Sequence, residues 1–180
     1  MRFIKKQFAV LTKYIEPIQK VAELGEWVFD TRGKGTSENP IQIPFVDYDD
    51  LIYKFIEDFY KFTEEHPKYE LTNYKSILEE NNIELDIRLM SEVKDALIDD
   101  RCILALIMGV IRIDRFSEGS LLWCFKDGCM VKWLKKLSKY DEDFIVDGTQ
   151  REIILPRDGR NIIRSGFNEY PKVWEKFYKI

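Results

Sequence analysis

One stretch constrains this chain more than any other: Cys102-Ile103-Leu104-Ala105-Leu106-Ile107-Met108-Gly109-Val110-Ile111, ten residues without a charge. An apolar run of this kind is half the length a bilayer requires. It is too long for a typical strand and apolar on every side, so it predicts a helix buried in the middle of a folded body. Asp99 or Asp100 supplies its N-cap, because a carboxylate there accepts one of the orphan N–H groups of the first turn. Gly109 offers a place for a second helix to approach closely. The rest of the 180 residues can surround such a centre, since 45% are hydrophobic and 14% aromatic. A chain of this size buries roughly 70% of its unfolded surface and needs neither disulfide nor metal to hold together.

Around that centre the periodicity is mostly helical. Ile4, Phe8, Leu11, Ile15, Ile18 and Ala22 recur at spacings of four and three, which makes one helix face. Pro17 lacks the N–H that would meet the carbonyl of Lys13, so the segment is a kinked helix or two helices, the second starting near Pro17, with Gly25 as the stop. Residues 25–46 carry three glycines and two prolines and read as a long loop with a short strand around Trp27 to Phe29. Arg32-Gly33-Lys34-Gly35-Thr36-Ser37 within it superficially resembles a phosphate loop, but the spacing between the glycines is wrong. Asp47 is the expected cap of a helix burying Tyr48, Leu51, Ile52, Phe55, Phe59 and Phe62 and ending at His66-Pro67, where His66 is expected to face solvent. Thr72 is the expected cap of a short helix with Tyr74, Ile77 and Leu78. A further helix is expected from Asp86 to Ile98, burying Leu89, Val93 and Leu97.

Ser120 to Phe125 and Cys129 to Leu137 predict two helices joined at Gly128, because Val131, Leu134 and Leu137 keep a spacing of three. Asp127-Gly128 as a hairpin turn is the alternative. From Tyr140 the pattern changes to short β-like runs, Phe144 to Val146 and Glu152 to Leu155, with a turn at Pro156-Arg157-Asp158-Gly159 and a last helix from Pro171. The expected architecture is therefore mainly α: a compact multi-helix single domain over 1–180. Its helical core covers about 2–139, and a small β-hairpin with a terminal helix covers 140–180.

Charge is unevenly distributed. The chain carries −4 in all, yet residues 47–100 hold 16 acids against six bases, and residues 101–180 hold 15 bases against 11 acids. Such asymmetry can draw the two halves together or orient a charged partner. The odd cysteine count (Cys102, Cys124, Cys129) and the absence of CxxC spacing argue against a secreted disulfide framework and against zinc, and point to the cytoplasm. Met1-Arg2-Phe3-Ile4-Lys5-Lys6 reads as the start of a helix and not as a signal peptide. No membrane partner, metal or cofactor is expected; the capping role explains Asp99 and Asp100, next to Asp95, without a cation.

Arg112-Ile113-Asp114-Arg115-Phe116-Ser117-Glu118-Gly119 follows directly on the apolar run. Arg112 and Arg115 share a helix face, and Glu118 has the spacing to pair with Arg115. Two guanidiniums beside two carboxylates at the end of a buried helix are costly unless paired or occupied. Arg112, Asp114, Arg115, Glu118 and Gly119 are therefore either a structural ion-pair network or a site for an anionic ligand or acidic partner. No histidine or placed nucleophile accompanies them, which disfavours catalysis. A second candidate is the row Lys132, Lys135, Lys136 and Lys139, with Arg151, Arg157, Arg160 and Arg164 beyond. On a helix pair joined at Gly128 it has the outline of a helix-turn-helix, although Asp127 and the net acidity count against nucleic acid. The aromatic residues Tyr170, Trp174, Phe177 and Tyr178 are expected to close the core.

Leu104-Ala105-Leu106, then Ile111-Arg112-x-x-Arg115-Phe116-x-x-Gly119, then Asp127-Gly128-x-x-x-Lys132-x-Leu134-x-x-Leu137, resembles the uncharacterised bacterial and phage family called domain of unknown function 6508. Gly25-Glu26-Trp27 with Pro44-Phe45 and Tyr48, and Asn73-Tyr74 with Ile77-Leu78, are similar too, so the likeness covers most of 10–140. Ser117 stands where that pattern has cysteine, and Asp114 where it has glutamate. The resemblance implies a fold type and a shared motif, and no chemistry. The function expected is a non-catalytic module that binds a protein partner or a second copy of itself. Nucleic-acid binding through the lysine face, and an enzyme or anion binder centred on Arg112 to Gly119, are the alternatives.

Overall fold

The computed structural model describes residues 6–94 and 98–143. Among the described residues the fold is mainly α with one antiparallel pair of strands. Its centre is α6 (Asp100–Asp114), in which every residue from Cys102 to Ile111 is buried. Asp99 is the N-cap, its carboxylate accepting the Cys102 N–H at 2.8 Å. At Gly109 a methyl group would stand 2.8 Å from Met90 Cε and 3.2 Å from Leu85 Cδ1, so the absence of a side chain lets the neighbouring segment pack close.

Around α6 lie α3 (Asp50–Glu65), α4 (Tyr74–Glu80), α5 (Ile87–Ser91), α7 (Ser120–Asp127) and α8 (Cys129–Asp143). α3 buries Ile52, Phe55, Phe59 and Phe62 on one stripe. α8 contributes Met130, Trp133, Leu134 and Leu137 to the same apolar cluster. Two short helices, α1 (Ala9–Thr12) and α2 (Ile15–Lys20), close the base. The buried Asp141 carboxylate of α8 accepts the Phe8 N–H at 3.0 Å just before α1. That bond satisfies an amide which α1 cannot satisfy itself. Among the described residues no helix is long and apolar enough to cross a membrane.

Of the two N-terminal alternatives the pair of helices is the one formed, the second beginning near Pro17 as expected, at Ile15; the proline is tolerated because the first turn needs no donor. Several local expectations are corrected. That second helix ends at Lys20, leaving Ala22 exposed, while Gly25 opens a strand. Asp49, not Asp47, caps α3, its carboxylate accepting the Leu51 N–H at 2.8 Å. Asp47 and Tyr48 belong instead to β2 (Phe45–Tyr48), which pairs with β1 (Gly25–Val28), Gly25 opposite Tyr48 and Trp27 opposite Val46. The long loop between the strands is organised by Asp30, whose carboxylate accepts the N–H groups of Arg32, Gly33 and Gln42 at 2.8–2.9 Å. These three bonds hold the Asp30 carboxyl below its ordinary range.

Asn73, with no side-chain bond, takes the place expected of Thr72 before α4. Helix α5 starts after Asp86 as expected but stops at Ser91; it buries Met90, and Leu89 stays exposed. His66 is half-buried, its ring stacked on Phe62 with centroids 4.2 Å apart and Nδ1 2.9 Å from the Phe62 carbonyl oxygen. α7 and α8 are helices joined at Gly128, whose φ of +88° suits glycine. The expected C-terminal hairpin, terminal helix and aromatic group at 170–178 lie outside the described residues, as do Ile4, Asp95 and Leu97.

Candidate functional site at the end of the buried helix

The chain leaves α6 through a tight turn, and the turn divides the eight-residue motif into two faces. Asp114 and Glu118 point toward the hairpin. The Asp114 carboxylate accepts the Tyr48 hydroxyl at 2.9 Å and the Leu121 N–H at 2.9 Å, joining β2 to the first turn of α7. Glu118 Oε1 accepts the Val46 N–H at 2.8 Å, a strand-edge donor that β1 does not use. Gly119, at φ +85°, lies against the Trp27 indole, and a methyl group there would overlap the ring. Three residues of the motif thus lock the hairpin onto the helical body.

Burial raises the Asp114 carboxyl above its ordinary range, opposed by its hydrogen bonds from Leu121 and Tyr48 and reinforced by the neighbouring Glu118 charge. The Tyr48 hydroxyl is raised in turn, first by burial and then by Asp114.

Arg112, Arg115 and Phe116 point the other way. The Arg112 guanidinium lies 5.5 Å from the centre of the Tyr60 ring of α3, within cation–π range. Arg115 Nη2 donates to the Tyr60 hydroxyl at 3.4 Å. Among the described residues neither guanidinium is paired with a carboxylate, so the Arg115–Glu118 pair allowed by their spacing is not formed. Phe116 is 93% exposed. Phe29, which stacks on Trp27 at 6.2 Å, and Tyr53, which meets Tyr48 edge-on at 6.0 Å, are also exposed and extend an aromatic border around the turn.

Sequence reasoning assembled the motif but not its partners. Tyr48, Tyr60, Trp27 and the Val46 N–H come from distant parts of the chain, and only the shared presence of Trp27, Tyr48 and Gly119 among the family-like motifs signalled them. Asp99 and Asp100 are engaged locally, Asp100 accepting the Tyr69 hydroxyl at 2.8 Å. Among the described residues no three metal-ligating side chains converge. All three cysteines are buried; burial pushes Cys102 up to about 12 and Cys124 well above its ordinary value, which disfavours the thiolate at those two positions.

The lysine row falls on the outer face of α8. Lys135 and Lys139 are exposed, and Lys132 and Lys136 half-buried. Lys132 Nζ donates to the Val93 carbonyl at 2.9 Å, and Lys136 Nζ lies 5.7 Å from the centre of the Tyr140 ring. The junction of α7 and α8 is one residue long, shorter than the three or four of a helix-turn-helix, so that motif is not what the pair builds.

A helical body clasping one β-hairpin, with an arginine and aromatic turn at its rim, is the class of protein this architecture defines. No curated protein and no solved structure matches the chain. The chain belongs to the family of unknown function DUF6508, whose profile matches residues 4–143, so the described turn, hairpin and lysine face all fall within the family's span.

Proposed function

We propose that this chain is a non-catalytic interaction module whose α6–α7 turn docks an acidic protein segment carrying an apolar anchor. The single observation behind the reading is Phe116, almost fully in water at the end of a helix that is otherwise sealed, with Arg112 and Arg115 beside it. An exposed large aromatic flanked by arginines and tyrosines has the composition of an interface hot spot. Among the described residues the guanidiniums meet Tyr60 and no carboxylate, so a carboxylate-bearing partner complements them directly. The inward half of the motif fixes the backbone, which reduces the ordering cost of binding.

The experiment is selection from a random displayed peptide library against the wild-type chain and against Arg115→Glu/Phe116→Ser. Wild type is expected to enrich sequences with Asp or Glu beside Leu, Phe or Trp, and the variant to lose them. Identical enrichment on both proteins contradicts the reading. A dimer seen by light scattering that the double substitution disperses makes a second copy the occupant and refutes the acidic-segment version.

A further inference from the structure

The loop between β1 and β2 is ordered and buries almost nothing. Every residue from Lys34 to Ile43 is exposed. Its backbone is nevertheless held at two levels. Asp30 ties the start of the loop to its end at Gln42, and at the tip the Asn39 carbonyl accepts the Lys34 and Thr36 N–H groups at 3.1 and 3.2 Å. Gly33 lets the two limbs touch, because a methyl group there would overlap the Asp30 carboxylate and stand 2.7 Å from Ile41 Cα. On this fixed frame Ile41 is 57% exposed and Ile43 82%. Single exposed apolar residues are ordinary; two on one short segment, with its backbone already ordered, form a surface prepared for a partner. Pro40 and Pro44 bracket the segment and withhold N–H donors, so it is ill suited to lengthen a sheet and contact falls to the side chains.

Charge identifies the partner. Glu26 and Asp47 stand directly opposite each other across the two strands, and both are exposed. Like charges in that position repel, with Cβ atoms about 5 Å apart. Arg32 and Lys34, also exposed, lie on the loop. Among the described residues none of these four is in an ion pair. The isoleucines lie between the two sets along the hairpin: the acids are on the strands, Ile43 comes just before β2, Ile41 is beside Gly33, and Lys34 is at the tip. A two-fold axis through the isoleucines therefore lays the bases of one copy on the acid pair of the other, twice over. We infer that a second copy of this chain covers the loop, in an antiparallel pairing of hairpins with Ile41 and Ile43 at its centre. The surface offered is smaller than the 20 or so residues a side of a stable interface, so the dimer is weak, with a dissociation constant on the order of 10–100 μM. It uses no residue of the α6–α7 turn and stands whether or not that turn docks an acidic segment.

Sedimentation equilibrium of the full chain, from about 5 to 500 μM, tests this. Wild type should pass from monomer to dimer. Ile41→Ser/Ile43→Ser should weaken association at least tenfold, and Arg115→Glu/Phe116→Ser should leave it within about twofold. Charge exchange adds a test that does not depend on the isoleucines. Arg32→Glu/Lys34→Glu makes both ends of the hairpin acidic, and Glu26→Lys/Asp47→Lys makes both ends basic. Each variant should stay monomeric alone, and the equimolar mixture should dimerise. Circular dichroism confirms folding, and Ile43→Thr, at the more exposed position, repeats the first test should the double serine variant unfold. A wild type that remains monomeric at about 500 μM overturns the inference. So does a dimer indifferent to the isoleucine substitutions, or a mixture that stays monomeric. A dimer dispersed by Arg115→Glu/Phe116→Ser moves the contact to the α6–α7 turn and overturns it too.

Discussion

The two faces of the turn from Arg112 to Gly119 carry the same kinds of side chain and do opposite work. On the inner face two carboxylates accept hydrogen bonds from Tyr48, Leu121 and Val46, all held by the fold. On the outer face the two guanidiniums meet Tyr60, and the Phe116 ring stands in water. Charges of opposite sign a helical turn apart in sequence therefore do not neutralise each other. Each half-buried carboxylate accepts the N–H of a buried residue, Leu121 for Asp114 and Val46 for Glu118, where an unmet donor costs more than a lost surface ion pair. The inner face is a fastening and the outer face a display.

The largest effect that would sharpen this contrast lies at Gly119. Gly119→Ala places a methyl group on the Trp27 indole at a positive φ, and should cost about 2–3 kcal/mol by urea unfolding. An unchanged midpoint would mean that the hairpin is not fastened there. Asp114→Ala comes next, leaving the Tyr48 hydroxyl and Leu121 N–H without an acceptor, at a cost of about 2 kcal/mol. Loss of the Tyr48 contact should also appear as altered tyrosine fluorescence.

A smaller and more specific effect is pH-dependent. Asp114 has a folded pKa above its unfolded value, so its contribution to stability is fully present below the ordinary carboxylate range and is lost as pH rises through the raised value. Asp30, and Asp58 of α3, whose carboxylate is held by Lys13 and the Tyr14 hydroxyl at 2.7 Å each, are shifted the other way and lose their contribution as pH falls, so the whole-protein profile mixes both signs. The difference between wild type and Asp114→Asn isolates one group: the variant should gain on wild type as pH rises from 4 to 7. A gain in the reverse direction would place Asp114 in a carboxylate-stabilising site.

The sequence revealed the inner architecture where it was local and apolar. The buried α6, the Asp99 cap, the stripe of α3 and the joint at Gly128 all follow from spacing along one element. The hairpin was half visible: β1 around Trp27 was expected, whereas Phe45-Val46-Asp47-Tyr48 offers only four residues of alternation before a genuine cap at Asp49, and Asp47 mimics that cap. The Glu118 bond to Val46 crosses 72 positions, so helical spacing suggested the nearer Arg115 instead. Residue types identified the candidate turn, while the direction each side chain faces was fixed by tertiary partners that periodicity does not encode.

The smallest stability effect is expected on the outer face, and the decisive measurement rests on it. Urea unfolding and affinity for a selected acidic peptide, measured on Arg115→Glu/Phe116→Ser beside wild type, separate display from fastening. Stability should change by no more than about 0.5 kcal/mol, as at other exposed positions, while affinity falls at least tenfold. A loss of stability as large as that of Asp114→Ala, or an affinity that does not move, would contradict that separation.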